Sequence, residues 1–328
     1  ALIGDFAKTP RYQGAGSSVV NPTKLDSTLD IIENYPLDLA GFAAGYPRTG
    51  KADAALEQEA LELAKNADVI LLYIGLDEIS ESEGLDRAHM KLPDSQLQLM
   101  SKLSKINPHI IAVLSAGSAV EMPWLNQCEA VIHGYLSGQA GASAMLNAIT
   151  GKINPSGKLS ETYPLQYEDI PSAPYFPAKE RNAEYREGLY VGYRYFETVK
   201  KPVLFPFGYG LSYTTFAYSN LKADDKKAVF TIENTGTRDG AEIAQLYVCA
   251  KNGTVYRPAK ELKGFTKVFL KAGESKEVTI PLDDKAFRYF NEKTNRFEID
   301  GGTYEICIGA SCADIRLSQA VTVNGTNA

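Results

Sequence analysis

Four cysteines, three histidines and one tryptophan are all that 328 residues hold of these types. Four cysteines are few for such a length. The pair Cys307 and Cys312, in CIGASC, lacks the spacing and the histidine companions of a zinc site. It reads either as buried thiols acting as small apolar side chains or as a bridge across a tight hairpin. His89, His109 and His133 are too scattered for a metal cluster or a Ser-His-Asp arrangement, so neither metal nor cofactor is expected. Basic charge is short as well: a net charge of −6 argues against nucleic acid, whose phosphates call for a basic face. No apolar run reaches the roughly 20 residues of a membrane-spanning helix, so no membrane partner is expected. Tandem repeats and low-complexity tracts are also missing. The chain opens with ALIGDFAK, inside a strand-like run, without a Met or a signal-like segment. That opening gives the expectation of a piece of a longer polypeptide.

What is present is an ordinary globular composition, 44% apolar and 23% charged, over a length that suits two domains. The first half alternates strand-like and helix-like segments. ALIG (1–4), VILLYIGL (69–76), HIIAVLSAG (109–117) and AVIHGY (130–135) read as strands. An unbroken apolar run such as VILLYIGL is expected where both faces of a sheet are covered. Between them, helices are predicted after Asp26 or Ser27 and in a stripe of Leu56, Ala60, Leu63, Ala64 and Ala67. Another is predicted over 92–107, capped by Asp94, with Leu99, Met100, Leu103 and Ile106 on its stripe. A last one is predicted after SGQAG, ended by Gly151 and Pro155. Repeated strand–helix units imply a doubly wound, mostly parallel sheet, an α/β sandwich, over residues 1–164. Residues 165–216, rich in Pro, Tyr and Gly, read as a linker or aromatic arm. From 217 to 328, short alternating runs separated by turns predict an all-β sandwich of seven strands, of immunoglobulin or fibronectin type III style.

In a doubly wound sheet, ligands sit beyond the carboxyl ends of the strands. The loops after Gly4, Gly75 and Ser115 therefore share one rim. The first carries QGAGSS (13–18), which fails the dinucleotide pattern: it lacks the third glycine, and Asn21-Pro22 stands where a helix should continue. Ser17 and Ser18 suit it better as donors to a polar ligand, a plain turn being the alternative. The second loop crowds Asp77, Glu78, Glu81, Glu83 and Asp86 together. A carboxyl acting as general acid near neutral pH needs its pKa raised from about 4.3 towards about 6, and crowded carboxylates favour that shift. Arg87 is placed to pair with Asp86 and fix the loop, leaving Glu81 or Glu83 free; the plainer reading is a solvated acidic loop. Trp124 and the aromatics of EYREGLYVGYRYF (184–196) could stack on sugar rings, but packing is the favoured reading.

Together these segments resemble the C-terminal part of glycoside hydrolase family 3, the β-glucosidase and β-xylosidase family. The residues that carry the likeness are ALIGDFA and YQGAGSS (1–18), ESEGLDRAHMKLP (81–93), AVLSAGSAVEMPW (112–124), GYLSGQAGASA through GKINPSGKLSETYP (134–164) and VLFPFGYGLSYTTF (203–216). The resemblance implies a retaining exo-acting β-glycosidase. The family joins a barrel domain bearing the nucleophilic aspartate, an α/β sandwich bearing the acid/base glutamate and, often, a fibronectin-like domain. Only the last two are matched here. Matching the Glu-Gly-x-Asp-Arg core selects Glu83 as acid/base, with Glu81 as the alternative, and Ser17 resembles the serine that binds the sugar. The implied partners are a carbohydrate substrate, a β-glucoside or oligosaccharide, and a barrel domain from the same or another chain. A homo-oligomer is left open. The competing expectations are a non-catalytic carbohydrate-binding or scaffolding module, and a β-xylosidase or β-N-acetylglucosaminidase relative.

Overall fold

Apolar runs without alternation become the strands of a parallel sheet. A computed structural model describes residues 1–48, 51–251 and 253–326. Two units emerge, one of Ala1–Ile153 with Phe176–Ala183 and the other of Asn154–Tyr175 with Glu184–Ala328. The first unit runs β1 (Leu2–Ile3), α1 (Thr28–Ile31), β2 (Phe42–Ala43), α2 (Ala54–Ala64), β3 (Ile70–Gly75), α3 (Asp94–Ile106), β4 (Ile110–Ser115), β5 (Ala130–His133) and α4 (Gly141–Ile149). The strands stand in the order β2-β1-β3-β4-β5, each parallel to its neighbour. All six residues of β3 are buried, as a strand covered on both faces requires. On one face Leu71, Tyr73 and Val113 pack with Phe6, Ile32 and Leu146. Helices α2 and α3 bury Ala60, Ala64, Leu99, Met100 and Leu103. Each leucine so buried contributes about 1.5–3 kcal/mol.

Helix starts follow local chemistry with one correction. The carboxylate of Asp53 accepts the N–H groups of Ala55 and Leu56 at the head of α2, and Ser27 rather than Asp26 caps α1. Asp94, expected to cap α3, is instead its first residue. Pro93 holds the cap position in extended backbone, and no side chain caps the helix. The Asp94 carboxylate still lies in the first turn, where the helix dipole favours it. Ile106 closes α3 and is 38% exposed, and Ala67 falls beyond the end of α2. Strand β2 was not anticipated.

In the second unit β6 (Tyr163–Pro164) and β7 (Val203–Phe205) form a short antiparallel pair, with α5 (Tyr193–Val199) between them in sequence. There follow β8 (Phe216–Ala223), β9 (Lys227–Asn234), β10 (Gly240–Ala250), β11 (Glu261–Leu270), β12 (Ser275–Pro281), β13 (Tyr289–Asn291), β14 (Arg296–Glu298), β15 (Gly302–Gly309) and β16 (Ile315–Val323). Sheets β11-β10-β15-β16 and β12-β9-β8 make the seven-stranded sandwich, with β13 and β14 as an added hairpin. Phe230, Ile232, Leu246, Val248, Ile306 and Ile308 share its core. The cysteines are free, so no bridge joins Cys307 to Cys312, and the Cys249 and Cys307 sulfurs lie 3.7 Å apart. In the aromatic arm, Tyr193 stacks on Phe207 and meets Tyr247 edge-on, and Phe196 is buried. Tyr185, at 86% exposure, packs on little. Trp124 is buried in the first unit. Among the described residues no helix is long and apolar enough to cross a membrane.

Candidate functional site

The first two rim loops meet as a small extra rung of the sheet. Ala15 and Ser82 form an isolated parallel bridge, and the Glu83 N–H donates to the Ala15 carbonyl at 3.0 Å. Gln13 closes the first loop on itself by donating to the Val20 carbonyl and accepting the Val20 N–H. Between them Gly16 adopts φ +105°, and a Cβ there would stand 2.6 Å from the Glu83 Cβ. Only glycine permits both that backbone and that approach. The turn aims Ser17 at Glu83: the Ser17 N–H donates to Oε2 at 2.7 Å, and the Ser17 hydroxyl donates to the same oxygen. The hydroxyl hydrogen bond first, and then the N–H, hold the Glu83 carboxyl below the ordinary glutamate range. Glu83 is exposed. Ser18 is exposed beside it and is not drawn onto Glu83.

The acidic loop thus sorts its carboxylates by task. Asp77 accepts the Ser80 N–H and makes a turn. Glu78 takes a two-point ion pair from Arg48, which also reaches Asp5, and the hydrogen bonds from Arg48 lower the Glu78 pKa. Glu81 points inward. Its Oε2 accepts the Gly117 N–H at 2.7 Å, and its Oε1 accepts the Ser118 hydroxyl at 3.1 Å and Arg87 at 3.3 Å. Arg87 therefore supports the loop through Glu81 and Ser118, not through the expected pair with Asp86, whose side chain stays exposed. The physical reason is partial burial: the partly buried guanidinium is drawn to the partly buried carboxylate, whose charge needs it more than a solvated one does.

Sequence reading missed Arg11. It is 2% exposed and donates to the carbonyls of Gln13, Leu76 and Asp77 at 2.9, 3.0 and 2.8 Å. Its Nη1 also lies 3.7 Å from Glu81 Oε2. The available signal was a lone arginine between Pro10 and Tyr12, close after a buried strand.

His133 sits at the end of β5. Its Nε2–H donates to the Ala116 carbonyl at 3.1 Å, and its ring stacks on Tyr135 at 3.8 Å. Burial brings its pKa down to about 4, so it is neutral at pH 7. His89 accepts the Lys91 N–H at the surface, and His109 faces Glu129. Among the described residues, one group combines metal-ligand types within reach of one another: Cys249, Glu305 and Cys307, in the second unit. The Glu305 carboxylate there is already paired with Lys251 at 2.5 Å.

Comparison with known proteins identifies the family of the chain. Residues 1–213 match the glycosyl hydrolase family 3 C-terminal domain, and residues 242–312 match a fibronectin type III-like domain. The exo-α-(1→6)-L-arabinopyranosidase of Bifidobacterium breve is 45% identical over 99% of the chain, which covers 44% of that protein. Thermostable β-glucosidase B of Acetivibrio thermocellus is 43% identical over 99% of the chain, which covers 45% of it. Among solved structures, the family 3 β-glucosidase of Bifidobacterium adolescentis superposes with a TM-score of 0.94 at 44% identity, covering 99% of this chain and 49% of that one. β-Glucosidase 3B of Thermotoga neapolitana, solved with glucose, gives 0.85 at 30% identity, covering 99% and 50%. The chain spans about half the length of these relatives.

Proposed function

The chain belongs to glycosyl hydrolase family 3, and on that premise we propose that it supplies the acid/base half of a retaining, exo-acting β-glycosidase. The nucleophilic aspartate is assigned to a barrel domain outside the described residues. Relatives named for β-glucosides and for α-L-arabinopyranosides suggest a terminal β-D-glucosyl or α-L-arabinopyranosyl residue as substrate. Both are pyranosides with an equatorial anomeric oxygen, so one placement of the proton donor serves either.

One observation carries the reading. Of the carboxylates in the acidic loop that are held in place, Glu83 alone is both exposed and set against Ser17 at the sheet rim. In the retaining mechanism two carboxyls about 5–5.5 Å apart flank the glycosidic bond. Glu83 protonates the departing oxygen while the aspartate attacks the anomeric carbon; the ionised Glu83 then takes a proton from the water that releases the sugar. Ser17 favours the ionised form and so suits the second step. The first step needs the pKa raised, and two things raise it: cover by substrate, which strips water from the carboxyl, and the negative charge of the nucleophile nearby.

The test is to assemble the chain with its barrel domain and follow hydrolysis of aryl β-D-glucosides and aryl α-L-arabinopyranosides. We expect turnover by the assembly and none by this chain alone. Glu83→Ala should slow poor leaving groups most, with azide restoring rate. A well-folded assembly without turnover refutes the reading, and so does that same pattern arising from Glu81→Ala instead.

A further inference from the structure

Glu81 is two residues from the proposed acid and partly buried where that acid is exposed, which raises the question of what a second carboxylate does there. Its two oxygens collect donors from three loops of the rim. Gly117 and Ser118 belong to the loop after β4, Arg87 to its own loop after β3, and Arg11 to the loop after β1. Arg11 repeats the pattern from the other side. Its guanidinium reaches the Gln13 carbonyl in the first loop and the Leu76 and Asp77 carbonyls in the second, and its Nη2 approaches the Glu81 carbonyl at 3.4 Å. A planar, forked cation suits such a junction, since several fixed donors meet several fixed acceptors.

We propose that Glu81 and Arg11 form a positioning hub that fixes where Glu83 stands. The inference rests on the reading of Glu83 given above. Ser82, the one residue between the two glutamates, is the residue bridged to Ala15, and the next residue over donates to the Ala15 carbonyl. A shift of Glu81 is therefore passed through one rigid rung to Glu83 and Ser17. A partly buried charge needs paired and hydrogen-bonded partners, so removing the Glu81 charge removes the ionic contacts to Arg11 and Arg87 that tie the loops after β1 and β3 to each other and weakens the hold on the loop after β4. Neither residue touches the reacting atoms; both act through Glu83.

Two measurements test this. In the chain itself, amide exchange at Ser17, whose N–H binds Glu83, is compared with exchange in strand β3 for Glu81→Gln and Arg11→Lys, variants mild enough to keep the fold. The hub predicts that Ser17 exchange rises about tenfold or more while β3 protection is kept. Unchanged Ser17 exchange in both variants overturns it. In the assembled enzyme, Glu81→Gln should lower kcat/KM by about tenfold to a hundredfold, equally for good and poor leaving groups and without azide rescue, because misplacement and not proton transfer is at fault. Leaving-group dependence with azide rescue would make Glu81 itself the acid/base and end the proposal, as would an unchanged kcat/KM. If Glu83→Ala proves harmless in that enzyme, the acid/base reading alone fails, since amide exchange reads the hub directly.

Discussion

A serine hydroxyl and one peptide N–H, both on a single carboxylate oxygen, set the protonation state of Glu83. Ser17 favours the ionised form, which places the carboxyl below its usual value of 4.5. Ser17→Ala removes the hydroxyl and keeps the N–H, so the Glu83 pKa should rise partway towards that value. A carboxyl 13C titration of the chain measures this, and an unmoved titration would show that the hydroxyl is not the cause. A folded-state pKa that is lowered means stability present above the unfolded value and lost as pH falls through the folded one. Since Glu83 is exposed, solvent screens that contribution and the stability effect stays small. On the proposed acid/base role, the larger consequence is for catalysis: with a higher pKa Glu83 stays protonated further, and the basic limb of the assembled enzyme's pH–rate profile should move up.

At the scale of elements, the site is two loops crossing, and the crossing depends on Gly16. Alanine there would carry φ +105°, a region L-residues avoid, and would drive its Cβ into Glu83. Gly16→Ala is expected to cost about 1–3 kcal/mol in urea unfolding of the first unit and to separate Ser17 from Glu83, seen as lost Ser17 amide protection. A variant as stable and as protected as wild type would show that the loops meet for another reason. How far these elements were legible follows from what holds them. Strands β3 and β4 declare themselves as buried runs, and α2 as a periodic stripe, because their burial repeats along the chain itself. Strand β2, two residues long, carries no period to detect. The start of α3 was misplaced because Pro93, fixed in extended backbone, takes the position at which the helix begins and leaves Asp94 inside it. That the QGAGSS and acidic loops share a rim was legible, since parallel strands send their carboxyl ends to one side. Which carboxylate turns inward was not. Glu81 meets Arg11 across 70 positions, and that pairing exists only once β1 and β3 are neighbours.

At the scale of the whole chain, two units need not unfold together, and a single midpoint would then mix two transitions. The sole tryptophan separates them: Trp124 is buried in the first unit, so its fluorescence follows that unit alone. The same unit holds His133, whose ring is kept neutral by burial, with a pKa of about 4 against 6.5 for the free side chain. An unfolded chain binds a proton on this imidazole as pH drops below 6.5, and the folded chain does not until pH nears 4. The unfolded state therefore gains protons first, and stability present above pH 6.5 is lost progressively towards pH 4. Allowing for the ring's partial contact with solvent, the loss is about 2 kcal/mol. Urea titrations followed by tryptophan fluorescence at stepped pH should show this fall in wild type. His133→Gln keeps a neutral donor for the Ala116 carbonyl and removes the titration, so its curve should be flatter across that window. Parallel curves for the two proteins would assign the acid sensitivity to other groups, such as Glu78, whose pKa the hydrogen bonds from Arg48 lower, and not to this histidine.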